Sequence, residues 1–512
     1  MHGNFPAMLA IGGTAADIWR RTGQHAMAVD SWLPPIFAPI VNKASGWLTD
    51  AINYADVAQG STVELAVTGL SRSGKTVFTT SLIHNLLSAV HGGGRMPLLN
   101  VVASGRLISA RLASEGALRL PLFPYRENSE AMASGTPDWP DRTAGLSEIA
   151  IDIRFVPANV AGKLITQVAG TPATVTLRVV DYPGEWLLDL PMMGQSYAEW
   201  SRATLRLLRR EASAGVAADF LTFIGEHAYD DPAGDEAAKR AHDLYAAYLR
   251  AARDTLGLTF LQPGRFLCPG ELSGAPLLWF APLDMPERAM LAPNTLGALM
   301  EERFEVYKRE VVGRFYEDHF RRFTRQIVLV DVLRALLAGR DAFDDTRLAL
   351  ETLLQSFRYG SGSLLSRLFQ PARIDKLLFA ATKADHVPDI QRDHLAELLR
   401  NMAALRAIDV RNASARFDVM AIASVLSTIE DTQEIDGQRV PVVIGRPVGT
   451  NRQSKFFVGT VPIRPPRPDA WGRAFLNVPV FEPPAIDVSP VAGIPHINLD
   501  QALEFLLGDR LR

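Results

Sequence analysis

At 512 residues the chain has material for roughly three domains of about 150 residues, or for one large domain with insertions. Its 47% hydrophobic and 21% charged residues exclude wholesale disorder. The formal net charge of −3 argues against a dedicated nucleic-acid binder, which carries a basic excess, and the single cysteine, Cys268, excludes an internal disulfide. The ten histidines form no HExxH and no His/Cys cluster at metal-ligand spacing, and there is no GxSxG elbow.

Residues 1–60 read as an N-terminal helical segment. Within it, residues 32–47 are apolar but interrupted by Pro34, Pro35, Asn42 and Lys43, which makes them too short and too broken to span a bilayer. They either dock on their own domain or lie on a membrane surface or a partner. No basic run leads into an apolar one at the start, so a cytoplasmic location is expected, with peripheral membrane contact left open.

Val63, Leu65 and Val67 alternate as in a short strand. Directly after them comes Gly69-Leu70-Ser71-Arg72-Ser73-Gly74-Lys75-Thr76, followed by an amphipathic helical run through Val77, Leu82, Ile83, Leu86 and Leu87. Strand, GxxxxGK[ST] and helix form the arrangement that cradles phosphates. Gly69 and Gly74 free the backbone to turn successive N–H groups inward, from Ser71 through Val77, and the helix N-terminus adds its partial positive charge. Lys75 supplies a full charge to the β- and γ-phosphates, and Thr76 offers its hydroxyl to Mg²⁺. Arg72 either reaches the β–γ bridge as an arginine finger in cis or points outward to a salt bridge.

The polar stretch 126–147 has the composition of a mobile loop and precedes an expected strand at 148–155. It offers Thr143 as the switch threonine over Mg²⁺, with Thr136 second. Residues 175–180 form an apolar strand ending in Asp181-Tyr182-Pro183-Gly184-Glu185. Asp181 there can hold Mg²⁺ through water, and Gly184 can present its N–H to the γ-phosphate. Glu185 stands in the water-orienting position; it either orients the attacking water or pairs structurally with a basic side chain.

Helical periodicity recurs at Leu244, Tyr245, Tyr248, Leu249 and Ala252, and again from Leu296 to Phe315, so residues 191–325 read as a mostly helical insertion. Arg202, Arg206, Arg209 and Arg210 line its first helix. A further apolar strand ends in Thr382-Lys383-Ala384-Asp385. Asp385 can accept both the ring N–H and the amino group that distinguish guanine from adenine, while the Lys383 stem lies along the base. After the strand at 417–422, Ala423 is expected to give its N–H to the guanine carbonyl, with Ser424 beside it. A hairpin at 439–444 and 455–462, a proline-rich stretch over 462–495 and a closing helix over 497–507 complete the chain.

Three such signals in this order resemble the G domain of Ras-like GTPases. More narrowly, LAVTGLSRSGKT (residues 65–76), DYPGEW (181–186), RQIVLVDVL (325–333), FRYG (357–360) and TKAD (382–385) resemble the YcjX-like family of P-loop proteins, linked to bacterial stress responses. The expected fold is an α/β three-layer P-loop NTPase. A G domain split between 61–190 and 326–430 would carry the helical insertion, a β hairpin and proline-rich extension over 431–495, and a final helix at 496–512. The expected ligands are GTP or GDP with Mg²⁺. The expected behaviour is slow hydrolysis by Lys75, Glu185 and Arg72, accelerated by an unnamed protein partner or by self-association. Two rivals stand beside it, a nucleotide-stabilised scaffold with negligible turnover and an ATP-using P-loop enzyme.

Overall fold

The computed structural model describes residues 61–91, 95–114, 118–141, 145–158, 171–286, 290–357, 374–403, 416–435, 437–450, 452–471 and 476–512. The N-terminal segment, Thr143 and all of the FRYG motif except Phe357 fall outside them.

Strand β1 (Ser61–Gly69) alternates between the two faces of a central sheet. Val63, Leu65 and Val67 enter one apolar cluster, and Ala66 and Leu70 the other. Helix α1 (Lys75–Ser88) follows the phosphate loop and buries Phe78, Leu82, Ile83 and Leu86 on the sheet. The remaining strands are β2 (Leu107–Leu112), β3 (Ser147–Phe155), β4 (Ala173–Asp181), β5 (Arg325–Val330), β6 (Lys376–Ala381) and β7 (Arg416–Ala421). Their spatial order is β2-β3-β4-β1-β5-β6-β7. The pairs from β4 through β7 are parallel, whereas β3 runs antiparallel to both β2 and β4. The expected strand at 148–155 is thus β3. β2 was not foreseen, because Ser109 and Arg111 interrupt its apolar pattern.

Between β4 and β5 the described elements are all helices, joined by irregular stretches. Helix α2 (Tyr197–Leu208) opens with a capping box in which Ser196 and Glu199 satisfy each other's backbone N–H groups. It is followed by α3 (Asp235–Thr255) and α4 (Leu296–Tyr307), the latter running through a π turn at Lys308–Gly313 into Arg314–Asp318. These helices meet through buried rings. Trp200 stacks on Phe304 with centroids 5.2 Å apart, and Phe280 meets Tyr307 at 5.3 Å. Each such side chain contributes roughly 1.5–3 kcal/mol of burial. The apolar cluster is continuous with the α5 (Arg340–Phe357) and α6 (Arg392–Met402) face of the sheet. The opposite face is covered by α1 and by α7 (Leu499–Leu507), whose Leu499, Leu503, Leu506 and Leu507 form the single apolar side that the sequence indicates. Arg325, buried at the N-terminal end of β5, ties α7 down through Asp509 at 2.8 Å.

A second sheet departs from the expected hairpin. It has three antiparallel strands, β8 (Thr428–Ile435), β9 (Gln438–Gly445) and β10 (Ser454–Phe456), in the order β10-β9-β8. β8, TIEDTQEI, is polar on both faces and gives no apolar alternation to read. The stretch 126–147 also departs from a plain loop, since Tyr125–Ala133 is helical. Its buried Asn128 and Ser129 disguise the inward face that Met132 shares. No described helix is long and apolar enough to cross a membrane.

Candidate functional site

The sheet register gathers the motif-bearing loops at one edge. Val67 lies opposite Asp181, Gly69 opposite Leu329, Val330 opposite Ala381, and Ala381 opposite Ala421. The strands therefore end together, and the loops that leave them form a common rim, the usual ligand position in an open α/β sheet.

At the phosphate end, Gly74 stands at φ 83° as the N-cap of α1, with no side chain capping the first N–H groups. An N-terminus with no side-chain cap suits an anion, which can supply the missing acceptor. Lys75 Nζ lies 2.9 Å from Asp181 Oδ1, with both side chains largely buried. Ser73 Oγ is buried without a hydrogen-bond partner among the described residues. An ammonium and a hydroxyl held out of water beside open backbone donors fit phosphate oxygens that would complete their bonding.

Thr76 donates its hydroxyl to the Asp141 carbonyl at 3.2 Å, so the segment just before Thr143 already lies over the loop. Thr136, the second choice, is exposed, and its carbonyl accepts from Ser134. The Thr76 hydroxyl and Asp181 carboxylate are hard oxygen donors, the kind that holds Mg²⁺ with few protein ligands and several waters. No group of three or more His, Cys, Asp or Glu among the described residues forms a ready-made cage. The Val77 side chain turns away from the loop, toward a small cluster of Met132, Val425, Ile486 and Ile494.

Gly184 meets the phosphate loop backbone directly, because a Cβ there would lie 2.2 Å from the Gly69 carbonyl oxygen. One residue on, the Glu185 carbonyl is covered by Gly264, where a Cβ would approach to 2.3 Å. The segment that follows is held to the helical region on every side. Trp186 donates its indole N–H to the Cys268 carbonyl, and the Arg265 guanidinium lies 3.3 Å over its ring. Asp189 accepts from the Gly264 N–H at 2.8 Å and from the Tyr307 hydroxyl at 2.5 Å. Burial pushes the Asp189 carboxyl up to about 7, against the opposing pull of those donors and of Arg265. Sequence reasoning missed Asp189, Gly264 and Tyr307, which lie far apart in the chain and carry no motif. Arg72 turns outward and pairs with Asp254 at 3.1 Å.

At the base end, Lys383 takes φ 62° and its Nζ meets Asp331 Oδ2 at 2.5 Å. Asp331 also caps the helix Val332–Leu337 through Arg334 N. Asp385 is buried, and its Oδ2 accepts from both the N–H (2.9 Å) and the hydroxyl (2.7 Å) of Ser427. Both donors fall on one oxygen, Oδ2, and hold the carboxylate in place. Thr382 adds a weak bond to the Val330 carbonyl at 3.4 Å. The Ala423 expectation needs correcting. Its N–H donates to the Ile497 carbonyl at 3.1 Å, so the C-terminal segment has taken the donor meant for a base. The Ser424 carbonyl accepts from Ser81 of α1 at 2.5 Å, joining this loop to the phosphate helix. Neither Ser427 nor Asp331 was singled out by sequence; a hydroxyl three residues past Ser424 was the only trace of the first.

With this geometry in view, comparison with known proteins is direct. The profile of the YcjX-like family, DUF463, matches residues 63–511, which include every described site residue above. The chain belongs to the YcjX-like family. Among its relatives, the Ras-like GTPase YcjX of Escherichia coli (strain K12) is 40% identical over 459 residues, covering 88% of this chain and 96% of that protein. The Ras-like GTPase YcjX of Shewanella oneidensis (strain MR-1) is 38% identical over 469 residues, covering 88% and 94%. The family resemblance carried by the phosphate loop, DYPGEW and TKAD thus extends over nearly the whole described chain.

Proposed function

We propose that the chain is a Mg²⁺-dependent guanine-nucleotide switch that binds GTP and hydrolyses it slowly. The reading is carried by the shared rim, where Lys75 and Asp181 stand on the same sheet edge as Asp385 and Lys383. The relatives' naming as Ras-like GTPases supports it.

In this reading Gly69 to Val77 wrap the phosphates, and Lys75 exchanges its buried carboxylate partner for phosphate oxygens. Asp385 pairs with guanine in a dry pocket, where a purine lacking the two donors leaves the carboxylate bare. Bound Mg²⁺ would neutralise charge on the phosphates, held through Thr76, Asp181 and the switch threonine. Glu185 faces the attacking water. Its negative charge beside the γ-phosphate makes intrinsic turnover slow and leaves room for acceleration by a protein partner. Residues 61–190 and 326–430 are then two parts of one G domain, and 191–325 is an insertion that reads the state of the DYPGEW segment. The extension over 431–495 borders the base end.

Isothermal titration with GTP, GDP and ATP in the presence of Mg²⁺, followed by single-turnover phosphate release, tests this. The expected outcome is heat with both guanine nucleotides, none with ATP, and measurable phosphate release. Heat without release over hours would make the chain a nucleotide-held scaffold instead, and preference for ATP would overturn the base assignment.

A further inference from the structure

Arg72 sits where its backbone would favour another residue. Its φ of 65° lies in the left-handed region, which glycine or asparagine enters at less cost. A long cationic side chain kept at a strained position in a phosphate loop points to use of that side chain. In the structure it is spent on Asp254, in the last turn of α3 and 182 residues further along the chain.

Three features make this contact a latch rather than a strut. Both side chains are more than a third exposed (35% and 39%), and ion pairs so exposed add little to stability. Asp254 is also gripped by Arg253, with Nε 3.2 Å from Oδ1 and Nη2 3.1 Å from Oδ2. When Arg72 leaves, the carboxylate keeps a cation and no bare charge remains. Finally, a guanidinium gains more from phosphate oxygens, which it grips two at a time, than from a shared carboxylate in water.

We propose that Asp254 is a positioning residue: it parks Arg72 against the end of α3 and yields it to the phosphates once a nucleoside triphosphate is bound. The docking of the helical region then sets the rate of hydrolysis. This rests on the nucleotide reading above. Water attacks the γ-phosphorus and passes its proton to a phosphate oxygen, the bond to the β–γ bridging oxygen breaks, inorganic phosphate forms and GDP is the leaving group. The released guanidinium meets the negative charge that gathers on the bridging oxygen. No further reactant is required.

The test is a double-mutant cycle on the full chain, with GTP binding by the parent established first by calorimetry. Single-turnover phosphate release and GDP affinity are then compared for parent, Asp254→Asn, Asp254→Glu, Arg72→Gly and Arg72→Gly/Asp254→Asn. Glycine suits the Arg72 backbone, so that variant keeps the fold, and melting curves verify all four. Asp254→Asn should release phosphate roughly two- to fivefold faster, the most that an exposed ion pair can hold back, with GDP affinity unmoved. Glutamate should restore the parent rate, and the gain should vanish without Arg72. An equal change with and without Arg72 would mean plain electrostatics and overturn the proposal, as would slower or unaltered release in folded Asp254→Asn. Absence of heat with GTP in the parent would instead sink the nucleotide reading itself.

Discussion

The two ends of the candidate site are built on opposite principles. At the phosphate end the charged groups are paired with one another: Lys75 with Asp181, Arg72 with Asp254. In the proposed reading each of those pairs opens or shifts when a phosphate is gripped. At the base end Lys383 is paired with Asp331, but the Asp385 carboxylate is held by two uncharged donors from Ser427. The first end is wired to the helical region through Gly184, Gly264 and Asp189, and the second to the C-terminal segment through Ala423 and Ile497. In the proposed reading the base end holds the ligand, and the end whose ion pairs exchange is the one that changes state. That reading assigns holding and switching to different halves of one rim.

The largest expected effect tests the holding half. Asp385→Asn keeps an acceptor for Ser427 but loses the charge and offers the base an N–H. Calorimetry should show GTP affinity weakened about a hundredfold or more, with partial recovery on xanthine nucleotides and an unchanged melting temperature. Parent-like GTP binding would remove the base end from the site. Gly184→Ala probes the switching half. The added methyl meets the Gly69 carbonyl, which is backbone and cannot turn aside, so about 1–3 kcal/mol of stability should be lost in denaturant titration. Phosphate affinity should fall with it, while the preference for guanine over adenine stays as it was. A loss of that preference would mean that the two halves are not separable.

A third effect is a pH dependence confined to the junction with the helices. The Asp189 carboxyl has an ordinary value of 3.8 and is raised by burial to about 7. From about pH 4 to about pH 7 the folded chain therefore binds a proton that the unfolded chain has lost. Stability from this group declines as the pH climbs through that window. Melting temperatures should fall across it more steeply in the parent than in Asp189→Asn. Identical slopes would show that Asp189 does not carry the proton.

Much of the phosphate end was legible because its chemistry is local. A glycine-framed loop, its lysine and its threonine are consecutive residues, Asp181 closes an apolar strand, and Asp385 follows one by four residues. What escaped notice comes from long-range placement. Asp189 acquires its meaning only when Gly264 and Tyr307 are folded onto it, and Ser427 when β8 leaves the rim. Ala423 was misassigned because nothing near it in sequence announces Ile497, which takes its N–H. β2 and β8 were missed because Arg111, Ser109 and the acidic residues of β8 break the alternation that marks a half-buried strand.

Helix α7 carries a consequence for how the molecule is made. Asp500 accepts the Leu98 N–H across 402 residues, and Leu499, Leu503 and Leu506 complete the layer beneath β1 and α1. During synthesis β1 must wait, with one side still wet, until residues 499–507 emerge from the ribosome. A chain stalled or clipped before residue 499 would display that greasy underside, which makes it a natural substrate for chaperones and proteases.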